Sequence, residues 1–167
     1  MRDNLNTRFG KGLTDSGGKS LNRRPEHAGL KLKIGKRLYL AVYTHAALTY
    51  GQPYQINYGT TAGQELLSQA PVTSTLFHWI GVPWRAEAKG VLAWLQIRGP
   101  CKALCYGDTD ITAADYLEVL NGGTYFVIDH ATRTAKGAAK IGADYDDAVS
   151  AIHDIVLLGV QVNIGSS

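Results

Sequence analysis

Val91-Leu92-Ala93-Trp94-Leu95-Gln96-Ile97-Arg98, followed by Gly99-Pro100, is the stretch whose reading decides the fold. Aliphatic and aromatic residues dominate it, as on a pleated and largely buried surface, and it reads as the clearest strand of the chain. The Gly-Pro pair predicts its end, because proline has no N–H for a strand ladder and glycine marks a turn.

Similar runs lie to either side. Arg37–Tyr43, Gln52–Gly59 and Thr75–Val82 read as strands before it, and Thr124–Asp129, Ile155–Leu158 and Val160–Ile164 as strands after it, while Cys101–Tyr106 follows the Gly-Pro pair without an assignment. Asn121-Gly122 is the strongest hairpin signal, since both residues tolerate the backbone of a tight turn. Lys31-Leu32-Lys33-Ile34 alternates like a half-buried strand. Two segments read differently. Gln64–Ser68 is expected as one helical turn stopped by Pro71, and Asp144–His153 as a short helix, with Val149 and Ile152 three apart. Roughly seven to nine short strands at turn spacings of about ten residues argue for an all-β sandwich or barrel with at most one short helix. The nineteen glycines suit that architecture.

Charge is distributed unevenly. Met1–Arg37 holds ten Lys and Arg against three acidic residues, a formal +7, whereas Leu38–Ser167 holds seven against eleven, a formal −4. Residues 1–36 are therefore expected as an extended basic arm and 37–167 as the β-rich body, with Lys31–Ile34 assignable to either. The arm is glycine-punctuated and has hydrophobes only singly, too few to offset the entropy of folding alone. It should order only against a partner. Phe9, Leu13 and Leu21 then serve as register anchors, and Arg2, Arg8, Lys11, Lys19, Arg23 and Arg24 supply charge. Such an arm suits a large acidic protein surface. Nucleic acid is the alternative, but Phe9 alone is thin for base stacking. A third reading, a solvated tail without a partner, explains the charge but not the anchors.

Catalytic signals are sparse. His27, His45, His78, His130 and His153 fall at no metal-ligand spacing, and Cys101 and Cys105 have no second pair to complete a zinc site. On a strand the two cysteines would lie about 13 Å apart, too far for a disulfide. They read as small buried thiols. Asp144, Asp146 and Asp147 lack the rest of a calcium loop and suit a helix N-terminus, and Asp108-Thr109-Asp110 reads as a turn. Gly17-Gly18-Lys19-Ser20 ends like a phosphate loop, but the opening glycine and the preceding strand are missing. No nucleophile–base–acid set can be argued from spacing. The expectation is a non-enzyme without metal or cofactor. The N-terminus has no apolar core behind its charges, and no run of about 18 apolar residues exists, so neither a secretory signal nor a membrane span is expected.

The segment from Trp79 to Leu120 carries a resemblance. Ala93-Trp94-Leu95-Gln96-Ile97-Arg98-Gly99-Pro100, followed by Asp110-Ile111-Thr112-Ala113-Ala114-Asp115, resembles tailed-bacteriophage head proteins of the decoration, or cement, family. The similarity continues more loosely through Phe126–Lys140 to Ile155–Leu158. It implies a virion protein on the capsid surface, made in the host cytoplasm, that reinforces the shell by binding the major capsid protein and copies of itself as a dimer or trimer. Trp84 and Tyr106 are the body residues proposed to make such contacts. The basic arm lies outside the resembling segment, and its role rests on charge and spacing alone. Another virion part, a head–tail connector or tail subunit, is the remaining structural alternative.

Overall fold

The computed structural model describes residues 24–106, 116–128, 139–141 and 150–164. Its eleven strands are β1 (Lys31–Ile34), β2 (Arg37–Thr44), β3 (Tyr54–Tyr58), β4 (Leu66–Gln69), β5 (Ser74–Pro83), β6 (Leu92–Cys105), β7 (Tyr116–Glu118), β8 (Val127–Ile128), β9 (Ala139–Ile141), β10 (Ala151–Leu158) and β11 (Gln161–Ile164). The fold is all-β, as expected, and no helix occurs among the described residues. None of these residues therefore forms a helix long and apolar enough to cross a membrane.

Five strands close on themselves. β2 pairs β4, β4 pairs β3, β3 pairs β5, β5 pairs β6, and β6 returns to β2. The β2–β4 contact is parallel, and the other four are antiparallel. Leu40, Val42, Tyr54, Ile56, Leu66, Ala93, Leu95 and Ile97 fill this barrel. Alternation explains why: on each strand every second side chain points inward. Gly81 also faces in, and a Cβ there would lie 2.9 Å from the Leu95 Cβ and 3.0 Å from Ile56 Cδ1. The interior has no room for a larger residue at that point.

A second core lies against the outside of the barrel. Ile80 and Val82 of β5 and Ala103 and Cys105 of β6 join Leu117, Val119, Phe126, Ala139, Ile141, Ile155, Leu157, Val162 and Ile164. These come from β7 to β11 and, for Val119 and Phe126, from the turn between β7 and β8; the strands extend the sheet in the order β6-β10-β9-β7-β8, with β11 on β5. A third, smaller cluster of Leu32, Ile34 and Tyr39 packs with Trp84 and Trp94.

Three sequence expectations are corrected here. β6 does not end at Gly99-Pro100 but runs on to Cys105, pairing with β2 before that point and with β10 from Arg98 onward. A bulge makes this possible. Leu38 pairs with Arg98 and Tyr39 with Gln96, so Ile97 is the extra residue. One inserted residue exchanges the two faces of a strand. Odd positions point into the barrel before the bulge, and odd positions point into the outer core after it. Gln64–Ser68 is not a helical turn: Leu66–Gln69 is β4, wedged between β3 and β2. Of the expected helix 144–153, residues 144–149 lie outside the described residues, and Ala151–His153 opens β10 opposite Cys105–Ala103. The Asn121-Gly122 turn stands, with the Gly123 amide donating to the Leu120 carbonyl at 2.9 Å and β7 pairing with β8 beyond it.

Lys31–Ile34 belongs to the sheet. It pairs with Arg37–Leu40, and the pairing continues where the Gly29 amide donates to the Ala41 carbonyl and the Ala41 amide to the Leu30 carbonyl, both at 2.8 Å. Ala28, Leu32 and Ile34 are buried, and Lys36 lies in the turn of this hairpin.

Candidate partner-binding surface

Register brings four strands' side chains into one row. Lys33 of β1 pairs with Leu38 of β2, Leu38 with Arg98 of β6, and Arg98 with Leu158 of β10. Directly paired residues share a face, and adjacent strands lie about 4.8 Å apart, so the Lys33 and Arg98 Cα atoms are about 10 Å apart with Leu38 between them. The turn adds Gly35, Lys36 and Arg37. Together Lys33, Gly35, Lys36, Arg37, Leu38 and Arg98 line a concave groove of about 410 Å³.

The groove is held by backbone features. Gly99 has φ +92°, and a Cβ there would lie 2.3 Å from the Lys36 carbonyl oxygen, so the β1–β2 turn rests directly on the β6 backbone. The Arg37 Nε donates to the Pro100 carbonyl at 3.0 Å. The Arg98 side-chain stem lies over Gly159, where a Cβ would meet its Cβ at 3.0 Å and its Cγ and Cδ at 3.1 Å. Beneath the bulge the buried Gln96 amide donates to the carbonyls of Arg98 (3.1 Å), Gly99 (3.1 Å) and Pro100 (2.8 Å).

Among the described residues, the charges of Lys33, Lys36 and Arg98 are left over at this groove. Elsewhere cations meet carboxylates: Lys102 with Asp154 at 3.1 Å across β6 and β10, Arg85 with Glu87, and Arg24 with Glu87 at 4.0 Å. No carboxylate among the described residues pairs with Lys33, Lys36 or Arg98.

The other proposed contact residues lie apart from it. Trp84 is half-buried against the Leu32–Ile34–Tyr39 cluster, with the Arg85 guanidinium 5.0 Å from its ring centroid. Tyr106 is half-buried against Tyr125, ring centroids 5.0 Å apart and planes tilted by 32°. Each combines packing with some exposure. Arg24 is exposed, while Arg2, Arg8, Phe9, Lys11, Leu13, Lys19, Leu21 and Arg23 lie outside the described residues. His130, the Asp108–Asp110 turn, the Asp144–Asp147 cluster and the Gly17–Ser20 run lie outside them as well. Burial pushes the Cys101 and Cys105 thiols up to about 12, so both stay protonated near neutral pH. Both are free and lie on one face of β6.

Sequence reasoning placed Lys33 and Lys36 at the arm's end and gave Arg98 no role. The alternating Lys31-Leu32-Lys33-Ile34 followed by Gly35 was the available signal for a hairpin that carries cations on one face. Nothing local could bring Arg98 to it.

No protein-family model and no curated protein matches the chain. Among solved structures it is similar to the crystal structure of the head fiber gp8.5 N base in bacteriophage phi29, with a TM-score of 0.49 and 10% sequence identity over 75% of this chain and 97% of that one.

Proposed function

We propose that this chain is a structural virion protein that decorates a tailed-bacteriophage head and stabilises it by gripping acidic surface on the major capsid protein. The observation that carries this reading is how the basic N-terminal region is divided. Of its ten Lys and Arg residues, Lys31, Lys33, Lys36 and Arg37 are built into the body's sheet, and the other six precede it. One partner would thus be held at two places, by a basic lead-in and by a basic patch on a rigid barrel. Arg24, the described cation of the lead-in, lies away from the groove. Arg24 approaches Glu87, which bridges to Leu48 beyond the Thr44 end of β2, whereas the groove lies at the Arg37 end. Two weak contacts on one repeated surface reinforce each other through effective concentration. The resemblance of Ala93–Pro100 and Asp110–Asp115 to head decoration proteins points to the shell as that surface.

The test is co-sedimentation with heads assembled without this chain. The full chain should pellet with heads in many copies per particle, and residues 24–167 should bind more weakly. Failure of the full chain to bind heads overturns the reading. Occupancy of one small ring per particle identifies a connector instead, and equal binding by both chains removes the arm from the mechanism.

A further inference from the structure

We propose that the groove formed by Lys33, Lys36, Arg37, Leu38 and Arg98 is a docking site for an extended acidic segment of the shell protein, its carboxylates held by the cations. The inference deepens the proposed function by naming the chemistry the body recognises, and rests on that reading only for the source of the segment.

Spacing gives the first argument. Lys33 and Arg98 stand two strands apart, about 10 Å between Cα atoms, and carboxylates two residues apart on one face of an extended chain are about 7 Å apart. Long basic side chains absorb the remainder. The intervening Leu38 makes the row alternate cation, apolar, cation, and Leu158 continues it.

Preorganisation gives the second. The turn sits on Gly99, Arg37 is fastened to the Pro100 carbonyl, and the Arg98 stem is backed by Gly159. Little ordering is left to oppose binding at these positions. The like charges of Lys33, Lys36 and Arg98 around one groove also repel one another, and an anionic partner relieves that repulsion.

The groove fits protein better than nucleic acid. Its lining includes no aromatic ring on which a base could stack, and its cations surround a small concavity rather than tracking along a phosphate backbone. Charge-assisted hydrogen bonds from Arg and Lys to carboxylates are among the stronger polar contacts a surface can make.

The experiment uses the full chain and a fluorescein-labelled peptide alternating Asp and Leu, with an Asn-for-Asp peptide and a single-stranded oligonucleotide of equal charge as comparators. The wild type should bind the acidic peptide, and the Lys33→Gln/Arg98→Gln pair should bind it at least about tenfold more weakly, as loss of charge-assisted hydrogen bonds requires. Lys36→Glu, a change in an exposed turn, should weaken it similarly with the circular dichroism spectrum unchanged. Unchanged affinity in these variants overturns the proposal, as does binding of the oligonucleotide as tight as that of the peptide. The source is read separately by sedimentation. Weaker head binding by Arg98→Gln is the result expected for the shell protein as donor, and loss of self-association with head binding unchanged overturns that source. If the full chain does not bind heads at all, the shell reading falls while the peptide result still decides the groove.

Discussion

The Gln96 side-chain amide donates to the Pro100 carbonyl at 2.8 Å, and the same nitrogen lies 3.1 Å from the carbonyls of Arg98 and Gly99. The backbone at the β6 bulge thus turns three carbonyls toward one buried donor. Without it, the Arg98 and Gly99 carbonyls lose this donor, while the Pro100 carbonyl keeps the Arg37 Nε. Gln96→Leu should destabilise the protein by about 1–3 kcal/mol, the usual cost of leaving buried polar groups unsatisfied. Urea denaturation would read this as a lower midpoint at constant slope.

Gly99→Ala should cost about 2–3 kcal/mol or more, since it combines a strained positive φ with a clash against the turn. The Lys36 carbonyl oxygen, 2.3 Å from the added Cβ, is backbone and cannot rotate away. Loss of stability should therefore come with weaker binding of acidic peptide, measured on the same sample at a temperature where the variant is folded.

The position of the N-terminal boundary can be tested by two deletions. Removal of residues 1–23 should leave the thermal midpoint nearly unchanged, because that stretch carries hydrophobic residues only singly among glycines and charges. Removal through Lys36 also takes away Leu32 and Ile34 and uncovers Tyr39, Trp84 and Trp94. At about 1.5–3 kcal/mol for each fully buried aliphatic side chain, that loss should exceed about 3 kcal/mol. Equal melting of the two chains would show that β1 adds nothing to the fold.

The two thiols should resist alkylation by iodoacetamide at pH 8 in the native protein and react once it is unfolded. Burial raises both from the ordinary 9.0 to about 12. Across that window the unfolded chain has lost thiol protons that the folded chain keeps, so these groups make stability fall as pH rises from about 9 towards about 12. Replacing both cysteines by Ala should flatten that alkaline decline, as followed by thermal melts between pH 8 and pH 11.

Strands were legible wherever local pattern and tertiary demand agreed. Lys31–Ile34 alternates exposed and buried as its sequence alternates, and Tyr54–Tyr58 and the Val91–Arg98 run form where strand formers gather. Legibility failed where pairing overrode local preference. Leu66–Gln69 has no β-branched residue and becomes a strand because β3 and β2 flank it. Ile152 sits in a plausible helical spacing, yet Ala151–His153 pairs with Cys105–Ala103. Pro100 reads as a terminator, but it lies in register with Val156 just past a bulge, and a bulge is a relation between two strands that neither sequence announces alone. The candidate groove was half visible for the same reason. The basic excess near the N-terminus was plain, but Arg98 joins Lys33, Lys36 and Arg37 only through the register of β6 on β2.

Since one extra residue at Ile97 lets a single strand wall both the barrel and the outer core, the two described cores share one continuous length of backbone. β6 is a beam shared by two rooms. Its amides should exchange with solvent only through opening of the whole body, and load applied at the Arg98 end would pass along continuous backbone to Cys105 instead of being absorbed at a hinge.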